Sequence, residues 1–172
     1  VNLGGGYKVG RMPDEPSTDP AAIGAPVASS LEAFARETGR ELHLEVEPGT
    51  FLTANAGWIV ARVSDTADTG PGGYRFAKLD TGMTEILRPS LYASQHPIHI
   101  LPVDGAERPS GKLVVVGHCC ESGDLLTPSA DDAEALGPRE LPLPEPGDRC
   151  LIGGAGAYCA AMSAKNYNSF PE

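Results

Sequence analysis

The sequence predicts a mainly β protein, in which a β-barrel or β-sandwich follows a short α/β segment. Glycine and proline are frequent, at 21 and 16 of 172 residues, which is typical of chains with many tight turns and few long helices. Short apolar segments recur after residue 50 and are separated by turn signals such as Pro71-Gly72-Gly73 and Asp104-Gly105. Helical periodicity beyond residue 50 is almost absent, which favours the barrel or sandwich.

The composition indicates one folded domain, or two small ones, with 41% apolar residues. No run of about 20 apolar residues is present, so we expect no transmembrane helix. The net charge of −10 repels phosphate backbones and anionic membranes, so we expect neither nucleic acid nor a membrane as a partner. The four cysteines form no C-x-x-C pair, which predicts no metal site and free thiols in a reducing, cytoplasmic compartment.

The first 50 residues are predicted to hold a helix and a strand after a loop rich in turn formers. Val27 to Thr38 carries one apolar stripe, and Gly39 follows where a helix C-cap belongs. Leu42 to Glu47 alternates apolar and polar residues, as a strand does. The chain opens on what resembles the end of a strand, Val1-Asn2-Leu3, so we expect a piece cut from a longer protein, with a processed natural start as the alternative.

The β part is predicted to contain five strands: Phe51 to Thr66, Tyr74 to Leu79, Ile98 to Val103, Leu113 to His118 and Arg149 to Ile152. Residues 128–148 contain five prolines and six acidic residues, so we predict a solvated loop there.

Three groups of residues in this pattern suit the charged parts of a ligand. Consecutive glycines at Gly4-Gly5-Gly6 let backbone N–H groups converge on a phosphate, although a plain glycine-rich turn fits equally well. Glu47 ends the alternating strand, where it would point into a barrel and pair with a protonated ring nitrogen, or lie at the rim in water. Arg88 and Tyr92 are four residues apart, and a guanidinium suits a carboxylate, although surface arginines are commoner.

The segment from Leu113 to Asp124 is a buried strand that runs into a polar loop. If the strand continues, His118 and Cys120 share one face and Cys119 points the other way. Acidic neighbours raise the pKa of a thiol, so Cys120 is better suited to donate a proton than to attack. Further on, Gly153 to Tyr158 is a small-residue loop that allows either ligand approach, with Tyr158 as donor, or close backbone packing.

The order and spacing of these motifs resemble those of the fold-type III, pyridoxal-phosphate-dependent decarboxylases, the family of the diaminopimelate, ornithine and lysine decarboxylases. The resemblance spans nearly the whole chain. It implies that residues 1–50 are a remnant of the cofactor-binding (α/β)8 barrel and that residues 51–172 are a Greek-key-like C-terminal β-barrel domain. The motifs that carry it are the triglycine, Glu47-Pro48-Gly49, Asp80-x-Gly82-Met83, Arg88-Pro89-x-x-Tyr92, Cys120-Glu121-Ser122-Gly123-Asp124 and Gly156-Ala157-Tyr158.

The resemblance implies a role for each site residue and pyridoxal 5'-phosphate as the cofactor. Cys120 would protonate the carbanion that remains after carbon dioxide leaves, and Glu121 would bind the distal amino group of an amino-acid substrate. Both would reach the site of a partner subunit, which implies a homodimer or other self-association. Arg88 and Tyr92 would bind a substrate carboxylate. The cofactor would be held by Gly4, Gly5, Gly6, Glu47, Gly49 and Tyr158.

Two departures from the family pattern matter. The family's cofactor-linking lysine lies on an early barrel strand that this chain lacks, so we expect the chain alone to be inactive. None of the lysines of this chain matches that motif; they are Lys8, Lys78, Lys112 and Lys165. Thr50 stands where the family usually has an arginine that helps to bind a substrate carboxylate, and a hydroxyl cannot replace a charged fork. A substrate without a second carboxylate is therefore favoured.

Two other functions fit parts of the sequence. A β-barrel without the lysine could serve as a non-catalytic, dimerising or assembly module. A hydrolase could use Cys120 or Ser122 with His118 as base, but the chain lacks a G-x-S-x-G elbow and the acidic neighbours oppose a thiolate.

Overall fold

The computed structural model describes residues 1–171. Its elements are, in chain order, α1 Pro20–Thr38, α2 Gly49–Thr53, β1 Ile59–Asp68, β2 Arg75–Leu79, α3 Arg88–Tyr92, β3 Ile98–Leu101, β4 Ser110–Val116, β5 Arg139–Pro142 and β6 Arg149–Ile152. Short 3-10 turns lie at Ala54–Ala56, Ala160–Met162 and Tyr167–Ser169. Over the described residues, no helix combines the length and the apolar character that crossing a bilayer requires.

The six strands form one sheet in the order β3-β6-β1-β2-β4-β5. Neighbouring strands are antiparallel except β2 and β4, which are parallel. The edge strands β3 and β5 contact each other, so the sheet is nearly closed. Arg139 of β5 bridges the remaining gap, because its guanidinium donates to the His96 carbonyl and to Gln95 Oε1 just before β3. The mainly β prediction with a C-terminal barrel is confirmed.

The core lies inside this sheet. Alternate residues of the strands point inward, as the burial of Ala61 and Val63 on β1 and of Ile98 and Ile100 on β3 illustrates. Among the described residues, all fully buried side chains lie at Ala54 or beyond. Residues 1–53 therefore pack on the barrel without contributing to its core, and the predicted boundary at residue 50 stays a prediction.

Helix α1 begins seven residues earlier than the sequence predicts. Asp19 caps it, since Asp19 Oδ1 accepts from the Ala21 N–H at 2.9 Å, and Pro20 occupies the first turn, where its missing N–H costs nothing. Pro26 removes one internal hydrogen bond but does not end the helix. The predicted C-cap is confirmed, because Gly39 has a φ of 67° and donates to the Ala35 carbonyl at 2.9 Å.

Two predictions in the β part are wrong. The strand predicted from Phe51 begins only at Ile59, because residues 49–56 form α2 and a 3-10 turn that pack against the loop at Gly156. The solvated loop predicted for residues 128–148 contains β5, which pairs with β4. Prolines at both ends of β5 make this segment resemble a loop in the sequence. Pro142 is nevertheless tolerated, because it ends a strand that lies at the sheet edge.

Candidate active site

The triglycine and Glu47 lie side by side in a short parallel pairing. The Glu47 N–H donates to the Gly4 carbonyl at 2.8 Å, and a Cβ on Gly5 would lie 2.8 Å from the Glu47 carbonyl oxygen. Gly4 and Gly6 have φ values of 74° and 84°, which favour glycine. The structure therefore joins the residues predicted to bind the cofactor phosphate and ring nitrogen, although Glu47 is exposed and lines no closed barrel.

Asn2 organises this pairing, and the sequence analysis missed it. Its Nδ2 donates to Glu47 Oε1 at 2.7 Å, and its Oδ1 accepts from the Gly4 N–H at 2.6 Å. Glu47 is thus oriented by a neutral side chain. Gly49 was predicted to help hold the phosphate, but its N–H donates to the Glu47 carbonyl at 2.9 Å. An asparagine two residues before a glycine run was the available signal, since its side chain readily bonds to the backbone two residues on.

The loop at Gly153–Tyr158 packs closely on the segment that follows α2. The Gly156 N–H donates to the Ala54 carbonyl at 2.8 Å, and a Cβ on Gly156 would lie 1.9 Å from the Thr53 carbonyl oxygen. On the other side, Gly153 lies against Trp58, whose ring would be 3.0 Å from an added Cβ. Close backbone packing, one of the two interpretations of this loop, is confirmed. Tyr158 is half exposed and has a φ of 56°.

Arg88 and Tyr92 share the short helix α3. The Arg88 guanidinium carbon lies 5.5 Å from the centroid of the Tyr92 ring, a cation–π contact. Arg88 Nη2 donates weakly to Ser94 Oγ at 3.4 Å, and Arg88 Nε is buried without a partner. The two residues predicted to bind a carboxylate are therefore adjacent, and none of the ion pairs of the described residues involves Arg88.

Asp124 holds the loop that carries Cys120. Its Oδ1 accepts from the Met83 N–H at 2.7 Å and its Oδ2 from the Cys119 N–H at 2.8 Å. The carboxylate is buried in a space that Gly82 and Gly117 leave open, since a Cβ on either would lie within 2.5 Å of it. Strand β4 ends at Val116, so strand geometry does not place His118 and Cys120 on one face as we expected.

Cys120 and Glu121 are exposed and are held by the segment near the C-terminus. The Cys120 N–H donates to Asn168 Oδ1 at 2.8 Å, and the Tyr167 hydroxyl donates to Glu121 Oε2 at 2.7 Å. The Gly123 N–H and the Tyr167 hydroxyl lower the pKa of Glu121. The neighbouring Cys119 differs, because burial and Asp124 raise its pKa to about 12. The Glu121 carboxyl group is therefore ionised at neutral pH, whereas Cys119 is a neutral thiol.

His118 does not activate a nucleophile in this arrangement. Its Nε2 lies 2.8 Å from Thr84 Oγ1, and its ring stacks on Phe170 with centroids 3.7 Å apart. Ser122 Oγ donates instead to Glu121 at 3.3 Å. The hydrogen bonds of the described residues join His118 to neither Cys120 nor Ser122, so the geometry does not support the hydrolase alternative.

Comparison with known proteins agrees with this architecture. Residues 50–156 match the family described as pyridoxal-dependent decarboxylase, C-terminal sheet domain. Diaminopimelate decarboxylase of Escherichia coli (strain K12) is 34% identical over 174 residues, which cover 99% of this chain and 40% of that protein. The chain thus spans about two fifths of the length of such curated relatives.

Solved structures give the same result for the fold. A crystal structure of diaminopimelate decarboxylase matches with a TM-score of 0.89 and 34% identity, over 98% of this chain and 39% of that one. The enzyme from Helicobacter pylori, complexed with L-lysine, matches with a TM-score of 0.77 and 29% identity, over 97% and 36% of the two chains. The chain therefore belongs to the pyridoxal-dependent decarboxylase family, and residues 50–156 are the C-terminal sheet domain of that family.

Proposed function

We propose that the protein carrying this chain removes one carboxylate from diaminopimelate and releases lysine, with pyridoxal 5'-phosphate as cofactor. The observation that carries this proposal is that residues from four motifs of the family lie in three preformed groups. Gly4–Gly6 contact Glu47, and Arg88 contacts Tyr92. Cys120 and Glu121 are both held by the turn at Tyr167–Ser169. The curated relative and the solved structures reported above are named diaminopimelate decarboxylases.

The residues around the triglycine fit a phosphorylated pyridine. The N–H groups of Gly5 and Gly6 make no hydrogen bond within the described residues, and glycine at these positions keeps Cβ atoms away from an anion. Glu47, held by Asn2, would keep a ring nitrogen protonated. When bound, pyridoxal phosphate withdraws electrons from the substrate carbon and thereby lets carbon dioxide leave. The cofactor-linking lysine would lie in a part of the protein that corresponds to the portion of its relatives that this chain does not span.

In this proposal the remaining groups bind substrate and move one proton. The Glu121 carboxylate would bind a substrate ammonium group, since its lowered pKa keeps it ionised. The Cys120 thiol would deliver a proton to the carbon that lost carbon dioxide. Within the described residues, no hydrogen bond or ion pair joins Cys120 or Glu121 to the Glu47 group. From the resemblance to the family we propose a homodimer in which Cys120 and Glu121 of each subunit complete the site of its partner.

The test uses the protein at its natural length, loaded with the cofactor. We expect lysine to form from diaminopimelate, detected by chromatography. Replacing Cys120 with alanine is expected to lower kcat by about 10²–10⁴-fold, because a positioned proton donor contributes that much, while cofactor absorbance is retained. Cys119→Ala is the matched control, since that thiol is adjacent but held neutral, and we expect its kcat to change less than about twofold. Absence of lysine, or an unchanged rate in Cys120→Ala, would refute the proposal.

A further inference from the structure

Four buried polar atoms of the described residues have no hydrogen-bond partner, and they belong to three segments of the chain. They are Arg11 Nη2, Arg88 Nε, Ser90 Oγ and His96 Nε2. Arg11 and His96 contact the adjacent carbonyl groups of Gly154 and Gly153, and, in addition to burial, Arg88 is near enough to lower the pKa of both side chains. Because buried polar groups are nearly always paired, the two unpartnered donors Arg11 Nη2 and Arg88 Nε indicate a bound group that accepts from them.

Arg11 is held in this cluster by contacts on both sides of its loop. Its Nε donates to the Gly154 carbonyl at 3.1 Å, and its Cδ would lie 2.8 Å from a Cβ on Gly154. Its backbone N–H donates to Glu15 Oε2 at 2.8 Å, and Asn55 Nδ2 binds the Gly10 carbonyl at 3.0 Å. The guanidinium is thus pre-positioned, which lowers the entropy cost of binding a ligand.

The charges around the cluster favour an anion. Neither Arg11 nor Arg88 takes part in an ion pair of the described residues, and Glu15 is engaged by the backbone of Arg11 and Met12. Burial and the nearby Arg88 lower the pKa of Arg11. Two neighbouring guanidinium groups repel each other, and Glu15 offsets only part of this repulsion at Arg11, so a carboxylate bound to both groups would be stabilising.

We propose that Arg11 is a substrate-binding residue, which together with Arg88 binds the carboxylate that the substrate keeps. This inference rests on the proposed decarboxylase function. A carboxylate held by two guanidinium groups is stabilised as an anion, which opposes its departure as neutral carbon dioxide. The Arg11–Arg88 pair therefore suits the retained carboxylate. Thr50 lies on the segment that contacts the Arg11 loop, and its side chain has no charge with which to bind this carboxylate.

The test compares two ligands that differ in this carboxylate. L-lysine carries it and cadaverine lacks it, and calorimetry on the protein at its natural length measures both dissociation constants. We expect Arg11→Gln to weaken L-lysine binding by about 10–100-fold, the range for a lost charge-assisted hydrogen-bond pair, and to leave cadaverine binding within about twofold. Arg11→Lys should give an intermediate loss, because an ammonium keeps the charge but not the fork.

Arg75→Gln is the matched control, since it removes an exposed arginine of the β1–β2 hairpin that pairs with Asp68. Unchanged L-lysine binding in both Arg11 variants, or equal losses for L-lysine and cadaverine, would overturn the inference. If the unaltered protein forms lysine while Arg11→Gln binds it normally, only this inference fails. If the unaltered protein neither decarboxylates diaminopimelate nor binds either ligand, the proposed function fails and the inference falls with it.

Discussion

Asp124 shows how one residue positions a reactive loop without taking part in its chemistry. Both carboxylate oxygens accept backbone N–H groups from different segments, so the Cys120 loop is tied to the turn at Met83. The arrangement needs glycine at positions 82 and 117, because a side chain there would occupy the space of the carboxylate. The sequence analysis treated Asp124 as an acidic neighbour of the thiols, whereas its main role in the structure is to fix the loop.

Replacing Asp124 with asparagine tests this role. The amide would place an NH₂ group against one of the two backbone donors, so we expect the free energy of unfolding to fall by about 2 kcal/mol. We also expect a lower kcat for diaminopimelate, since the Cys120 loop would shift. Urea unfolding and steady-state kinetics on the protein at its natural length measure both effects. The exposed Asp131→Asn serves as control, and equal stability of the two variants would contradict the expectation.

At the scale of elements, the last described segment acts as a clamp on the Cys120 loop. The 3-10 turn Tyr167–Ser169 supplies a hydroxyl to Glu121 and a side-chain carbonyl to the Cys120 N–H, and Phe170 covers His118. Asn168 has a φ of 51°, in the left-handed region that asparagine tolerates better than most residues. The geometry of this part of the site thus depends on a segment more than 40 residues away along the chain.

Tyr167→Phe removes one contact of the clamp and leaves its shape unchanged. The hydroxyl lowers the pKa of Glu121, so its loss should raise that pKa and move the acid limb of the kcat/KM–pH profile to higher pH. We also expect KM for diaminopimelate to rise by about 3–10-fold, the effect of losing roughly 1 kcal/mol of hydrogen bonding to an ionised group. Tyr74→Phe on the β1–β2 hairpin is the control, and an acid limb that does not move would exclude this role.

At the scale of the whole molecule, the barrel is closed by polar contacts around a neutral histidine. Arg139 on edge strand β5 binds the His96 carbonyl and Gln95, which lie just before edge strand β3. His96 is fully buried, and its Nδ1 lies 2.8 Å from the Gly153 carbonyl, so that nitrogen carries the proton. Burial lowers the pKa of His96 to about 4, and the nearby Arg11, Arg88 and Arg139 act in the same direction.

The stability of the fold is therefore expected to depend on pH. In the unfolded chain His96 binds a proton near pH 6.5, but in the fold only near pH 4. Its contribution is thus complete above pH 6.5 and is lost progressively as the pH falls toward 4. The whole loss is about 3 kcal/mol, from roughly 1.4 kcal/mol per pKa unit. His96→Gln should reduce the fall in urea midpoint between pH 7.5 and 4.5, whereas the exposed His43→Gln should not. An equal fall in both variants would show that His96 does not titrate in this way.

The sequence predicts the parts of this molecule that local pattern determines. Alternation and turn signals identify β3, β4 and β6, and the αL glycine identifies the end of α1. Strand β5 and helix α2 escape such patterns, because Pro142 resembles a loop residue and the apolar run from Phe51 resembles a strand. Their conformations are decided by partners distant in sequence, β4 for one and the Gly156 loop for the other.

The candidate site divides in the same way. The motifs locate Glu47, Arg88, Cys120 and Glu121, because those residue types and spacings carry a chemical meaning. Arg11 could not be predicted, since a single arginine among turn formers has no pattern and its position depends on Gly154, 143 residues later. The sequence holds one indirect indication of this role, because Thr50 stands where the family usually has an arginine. We took that missing charge to favour a substrate without a second carboxylate. The Arg11 guanidinium, whose Nη2 has no partner among the described residues, supplies another explanation for that threonine.

The only tryptophan of the chain, Trp58, lies against Gly153, beside the loop whose carbonyl groups hold His96 and Arg11. The indole is half exposed, and its centroid is 5.7 Å from that of the His99 ring. Indole emission depends strongly on the polarity and charge of its surroundings. Within this part of the protein, we therefore expect the fluorescence of a single side chain to change when a ligand alters the Gly153 loop, without any added label.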